Sequence, residues 1–248
     1  MLFLHSTPDE LRFWMFQTAH FSAWYRTIAV DLAGYGRSPA TQPGLKLDDQ
    51  AQACWELIDR ITSDGIIIQG NSIGASVAMH MANQRPRRTL ALIVSGTGYS
   101  VNADIMWRWV ERYRNEGLGL RHPQVLDHFS PAGQKSELAR YYADMVASLN
   151  NEGTLGSIIA MNEANARSRP RPEAFYDALT MPVMIIAGKE DRTYPSSVEL
   201  HKRLPGSKFA AIEGAGHACN FEAPWEFDRH CIAFLDTLGL YPGPALKK

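Results

Sequence analysis

Net charge is nearly absent from this chain. Its 25 lysines and arginines stand against 26 aspartates and glutamates, leaving −1 over 248 residues. That balance argues against a nucleic-acid-binding surface or a polybasic membrane anchor. Cysteine is scarce too. Cys54, Cys219 and Cys231 are odd in number and show no C-x-x-C spacing, which points to a reducing compartment and away from a metal site. No apolar run is long enough to span a bilayer, and Met1-Leu2-Phe3-Leu4 is too short for the apolar core of a secretion signal. A soluble, cytoplasmic protein is the expectation. Internal repeats and low-complexity segments are also missing. The length suits one large domain, or one domain carrying an insertion.

The chain is organised around Gly70-Asn71-Ser72-Ile73-Gly74. An apolar, β-branched run, Gly65-Ile66-Ile67-Ile68-Gln69, precedes it and reads as a buried strand; Ala75 to Ala82 follows and reads as a core-facing helix. This is the strand-to-helix context that a G-x-S-x-G nucleophile elbow requires. A serine at the tip of such a turn takes a strained backbone conformation that lifts its hydroxyl off the sheet. Side chains two residues to either side would strike the strand or the helix, so glycine is needed at 70 and 74. The helix N-terminus then offers unpaired N–H groups, Ile73 first, to an oxyanion formed beside Ser72.

The rest of the chain fits around this turn. Leu2-Phe3-Leu4, Arg26 to Val30, Leu90 to Val94, Pro182 to Ala187 and Phe209 to Ile212 read as further strands. Helical patterns separate them, among them Asp48 to Ile61 and Phe227 to Leu238. Strands alternating with helices imply an α/β fold with a parallel sheet. The pattern changes over 98–181, which is helical, rich in tryptophan and tyrosine, and ends in the basic Arg167-Ser168-Arg169-Pro170-Arg171-Pro172. The expected organisation is a core of 1–97 and 182–248 with a helical lid at 98–181. The lid would cover the strand C-termini, where open α/β sheets bind ligands.

The order of His-Ser-Thr-Pro at 5–8, Asp-Leu-Ala-Gly-Tyr-Gly-Arg-Ser at 31–38, the elbow, Gly-Lys-Glu-Asp at 188–191 and Gly-His at 216–217 resembles the α/β-hydrolase superfamily. The lid is most similar to those of enol-lactone hydrolases and meta-cleavage-product C–C hydrolases. The resemblance implies Ser72 as nucleophile, His217 as base and Asp191 as the acid that orients it. Glu190 and, more weakly, Asp104 are competing acids, while Asp31 and His5 fit structural roles. The resemblance further implies the backbone N–H groups of Thr7 and Ile73 as oxyanion donors. At Ser6 this chain departs from the superfamily, whose related sequences carry glycine there.

The expected pocket draws on Trp14, Tyr99, Trp107 and Met161, with Arg167 as a lid anchor for an acidic substrate. A solvated arginine in a basic linker is the competing reading of Arg167. Cys219 reads as a small packed residue. The resemblance implies hydrolysis of an ester or lactone of a small, largely apolar molecule, with no cofactor and no metal. C–C bond hydrolysis by the same triad and a non-catalytic ligand-binding role are the alternatives. Aspartate is missing from position 72, which disfavours dehalogenase and epoxide hydrolase chemistry.

The superfamily sheet usually opens with two strands ahead of the one that here is Leu2–Leu4. The expected sheet therefore has about six strands with 26–30 at an edge. Either the chain begins short of its natural gene product or that edge is covered by a second copy, by Trp24-Tyr25 or by the tail after Leu240.

Overall fold

Six apolar runs form one parallel sheet in the computed structural model, which describes residues 1–40 and 44–244. The strands are β1 (Leu2–Leu4), β2 (Ile28–Val30), β3 (Ile66–Asn71), β4 (Thr89–Ser95), β5 (Val183–Gly188) and β6 (Lys208–Ile212). They lie in the order β2-β1-β3-β4-β5-β6, and every pairing is parallel. β3 and β5 are buried along their whole length, which explains why they read as continuous apolar runs rather than alternating ones.

Strand alternation splits the core into two layers. Leu2, Leu4, Ile66, Ile68, Leu92 and Val94 face one way, toward α2 (Leu47–Asp59) and α3 (Ile73–Gln84). Phe3, Ile67, Ile93, Met184 and Ile186 face the other, where α1 (Met15–Phe21) and the C-terminal helix pack. The three cysteines are buried and unpaired. No helix among the described residues is long and apolar enough to cross a membrane.

Between β4 and β5 the chain forms only helices: α4 (Ala103–Glu116), α5 (Arg121–Leu126), α6 (Glu137–Ser148), α7 (Thr154–Arg167) and α8 (Glu173–Asp177). Side-chain caps start two of them. Asn102 accepts from the Asp104 N–H at 2.8 Å and Ser136 from the Ala139 N–H at 3.1 Å. A fully buried arginine ties this insertion to the turn after β1. Arg121 donates from Nε to the Pro8 carbonyl at 2.9 Å and from Nη1 to the Leu149 carbonyl at 2.7 Å. After β5 come α9 (Tyr194–Arg203), β6, α10 (Cys219–Glu222) and α11 (Pro224–Thr237).

β2 is at the sheet edge, as its place in the superfamily order implies. Next to it the Tyr25 hydroxyl donates to the Leu240 carbonyl at 2.7 Å, and the Trp24 and Tyr241 rings meet at 5.2 Å. The C-terminal segment thus packs on the residues leading into the edge strand.

Candidate active site

β3 runs through Asn71 and α3 starts at Ile73, leaving Ser72 alone at the turn with φ 55° and ψ −115°. It is the sole non-glycine with positive φ among the described residues. Such a conformation costs on the order of 1–3 kcal/mol and persists only where the surroundings enforce it. Here the Ser72 N–H donates to the Ser95 carbonyl at the end of β4 at 2.8 Å. The flanking glycines are required by contact. A Cβ on Gly74 would sit 2.2 Å from the Leu4 carbonyl oxygen, and one on Gly70 would sit 2.4 Å from the Gly74 oxygen.

Asp191 and His217 follow β5 and β6. His217 Nδ1 lies 2.9 Å from Asp191 Oδ2. Asp191 also accepts from the Thr193 N–H at 2.8 Å and the Thr193 hydroxyl at 2.7 Å. Burial alone would raise the Asp191 carboxyl; the His217 charge and the bonds from His217 and Thr193 outweigh it and hold it down at about 2. Burial alone would lower the His217 imidazole, but the Asp191 charge and hydrogen bond outweigh it and raise it above 6.5. An ionised carboxylate only accepts, so Nδ1 carries the proton and Nε2 is the basic nitrogen. The competitors stand apart: Glu190 and Asp104 are exposed, and Asp31 accepts the amides of Leu11, in the turn after β1, and of Arg37 in its own loop.

The loop carrying His217 is clamped from both sides. Asn71 Nδ2 donates to the His217 carbonyl at 3.1 Å and to Ser95 Oγ at 2.9 Å. From the insertion, the His128 carbonyl accepts the Ala218 N–H at 2.8 Å, and Glu222 accepts both the Gly216 and Ser130 amides. His128 itself faces His217, and its Nδ1 lies 3.0 Å from the buried Asp9 Oδ2, off the line of a good hydrogen bond. Asp9 also accepts from the Tyr142 hydroxyl at 3.0 Å. This second histidine–aspartate pair spans the turn after β1 and the insertion, and no short-range motif marks it.

His5 is structural. Its Nε2 accepts the Leu32 N–H at 2.9 Å, so Nδ1 carries the proton toward the Ser6 carbonyl at 2.6 Å. Ser6 takes no positive φ, so the side chain that stands in for the superfamily glycine fits without backbone strain. Beside it the Thr7 hydroxyl pairs with the Tyr35 hydroxyl at 2.6 Å.

A cavity of about 120 Å³ joins Thr7, Ser72, Asp191 and His217. One wall is apolar, from Ile105, Met106 and Trp109 of α4. The other is polar, from Asn162 and Asn165 of α7 and from Arg169. None of the five pocket residues expected from the sequence lines it. Trp14 is buried behind the sheet against Phe3, Phe13 and Phe227. Tyr99 packs on Tyr176 and bonds Glu173. Trp107 lies on the outer face of α4, 36% exposed, under the Arg167 guanidinium. Met161 points into the sheet-side core. Arg167 pairs with Glu163 at 2.7 Å, one turn back on the outer face of α7. Helical rotation explains Trp107, Met161 and Arg167: one residue along either helix turns the side chain by about 100°. The inward arginine is Arg169, just past the helix end. Its Nη1 donates to the Gly98 carbonyl at 3.0 Å, and its Nε is buried without a partner. Burial and the nearby Arg171 lower it to about 9.

With this fold and with Ser72 at the turn after β3, the chain belongs to the alpha/beta hydrolase family. The alpha/beta hydrolase family model matches residues 1–227. Over 241 residues the chain is 25% identical to the dihydrolipoyllysine-residue acetyltransferase component of the acetoin cleaving system of Pseudomonas putida, covering 95% of this chain and 63% of that one. It thus spans less than two thirds of that relative's length. It is 24% identical to 3-oxoadipate enol-lactonase 2 of Acinetobacter baylyi over 92% of this chain and 85% of the relative. Among solved structures, a thermophilic esterase from Thermogutta terrifontis superposes with a TM-score of 0.81 at 23% identity, covering 96% of this chain and 89% of that one.

Proposed function

We propose that the chain hydrolyses an ester or lactone bond of a small substrate through an acyl-enzyme on Ser72. The observation that carries this reading is the strained Ser72 in one cavity with a His217 whose Nδ1 is bonded to Asp191. His217 Nε2 takes the Ser72 proton as Oγ attacks the carbonyl carbon, and the Ile73 and Thr7 amides receive the oxyanion. The C–O bond breaks as His217 returns the proton to the leaving oxygen. Water, deprotonated by His217, then attacks the acyl carbon, and Ser72 leaves with the proton. Asp191 stays ionised throughout and stabilises the imidazolium.

The cavity suits a molecule with one apolar side, lying on Ile105 and Trp109. Arg169 supplies a cation for an acidic group at the polar end. An organophosphonate probe should label Ser72 stoichiometrically in wild type and not in His217→Ala. A panel of short p-nitrophenyl esters, enol lactones and vinylogous diketones separates ester and lactone cleavage from C–C cleavage. Full ester turnover by Ser72→Ala would refute the acyl-enzyme.

A further inference from the structure

A second cavity, of about 510 Å³, opens between the start of α2, the middle of α3 and the 168–172 linker with α8. It shares no lining residue with the cavity at Ser72. The linker presents its arginines alternately, Arg169 to the first cavity and Arg171 to the second, with Pro170 between them.

Arg171 keeps 6% of its surface, and among the described residues its buried Nε, Nη1 and Nη2 have no hydrogen-bond partner. A guanidinium with every donor unused is costly in a folded protein unless something pairs with it. The guanidinium carbon lies 4.9 Å from the centre of the Phe175 ring. The Tyr176 hydroxyl partly offsets its burial yet has no partner of its own by geometry. Two more cations line the same cavity, Lys46 and Arg167, the second already paired with Glu163. Among the described residues Asp48 is the single acid lining it, and it is committed to His80 Nδ1 at 2.8 Å. The His80 ring packs on Phe175 at 4.8 Å, and its Nε2 is also buried and unpartnered.

We infer that this second cavity binds a small organic anion, its carboxylate or phosphate taken by Arg171 with Lys46, and its apolar part lying on Phe175. The Arg171 nitrogens are covered from solvent, so the inference requires the Arg171 side chain to turn about its χ bonds toward the cavity as the anion binds. An arginine fork matches a carboxylate or a phosphate in two parallel bonds, which a lysine cannot do. The inference does not depend on the hydrolase reading, because none of these groups touches Ser72 or His217.

The test is an NMR titration of the full chain with benzoate, phenyl phosphate and inorganic phosphate, read at the backbone amides. Shifts are expected at Lys46, Asp48 and Phe175 and not at Thr97 or His217. They should persist in Ser72→Ala. Arg171→Met should weaken binding by about tenfold or more, the scale of one charge-assisted pair. Lys46→Gln, at an exposed position that leaves the fold alone, should weaken it severalfold. Benzoate and phenyl phosphate separate a carboxylate from a phosphate ligand, and tighter binding of either than of inorganic phosphate supports the apolar wall. Shifts confined to the Ser72 cavity, or binding unchanged in both Arg171→Met and Lys46→Gln, would overturn the inference.

Discussion

The His128 ring lies 5.0 Å from that of His217, and the chain around His128 is pressed against the His217 loop. A Cβ on Gly216 would come within 2.6 Å of the Ser130 backbone nitrogen and 2.8 Å of the His128 carbonyl oxygen. Backbone, unlike a flexible side chain, cannot yield cheaply. Gly216→Ala should therefore cost about 1–3 kcal/mol of stability, the usual scale of overpacking, and displace His217. Kinetics should show kcat falling with KM nearly unchanged, because the wall formed by α4 and α7 is untouched. An unaltered kcat would mean that the insertion does not hold the base in place.

The pH profile follows from the Asp191–His217 pair. In the proposed mechanism His217 must be neutral to accept the Ser72 proton, and the Asp191 charge and hydrogen bond raise its pKa above 6.5. The acid limb of kcat/KM should therefore have its midpoint above 6.5, with activity lost as the pH falls through it. For stability the signs are opposite. The His217 contribution is full below 6.5 and fades as pH rises through its raised folded value. The Asp191 contribution is full above 3.8 and is lost as the pH falls toward about 2. On the proposed mechanism Asp191→Asn leaves an amide that favours the wrong tautomer and should lower kcat by about 10⁴-fold, the loss seen when a serine protease triad aspartate is so changed. A limb below 6.5 in wild type, or a loss of less than tenfold in Asp191→Asn, would remove Asp191 from this role.

The core and the elbow were legible because their signals are local. Glycine spacing at 70 and 74 reports contacts within a few residues of the turn, and β3 and β5 read as strands because burial on both faces demands unbroken apolar runs. The cavity wall was not legible, because which face of an insertion helix turns inward is set by tertiary packing. On α4 the inward positions are 105, 106 and 109, so Trp107, the conspicuous aromatic, points out. The Asp9–His128 contact joins residues far apart in the chain, and the buried Arg121 that supports the same turn has no neighbour in sequence to announce it.

The two arginines of the 167–169 stretch can be told apart by kinetics. Arg169→Met should raise KM for carboxylated substrates by about tenfold or more, the worth of a charge-assisted contact, and leave neutral esters close to wild type. Arg167→Met removes an exposed pair with Glu163 and should cost about 0.3–0.5 kcal/mol of stability, with KM unchanged for both classes. Equal effects of Arg169→Met on acidic and neutral substrates would make that residue a structural support for the Gly98 turn.

The edge strand carries the last prediction, a self-association that we propose runs through β2. The Ile28 N–H donates inward to the Met1 carbonyl at 2.9 Å. By strand alternation the amides of Thr27 and Ala29 point outward, and among the described residues no strand pairs on that side. Neither proline nor a bulge protects this edge, so a second copy can pair with it. The competing cover is the C-terminal segment, held near by the Tyr25 bond to Leu240. Sedimentation velocity over a range of concentrations should show association in wild type. Ile28→Lys puts a charge on the edge and should reduce it. Ala29→Pro deletes one outward donor where an edge strand tolerates proline, and should reduce it too. Thermal melts of both variants separate lost association from lost folding. A wild type that stays monomeric at every concentration, with slow exchange at Thr27 and Ala29, would show that the C-terminal segment already closes this edge.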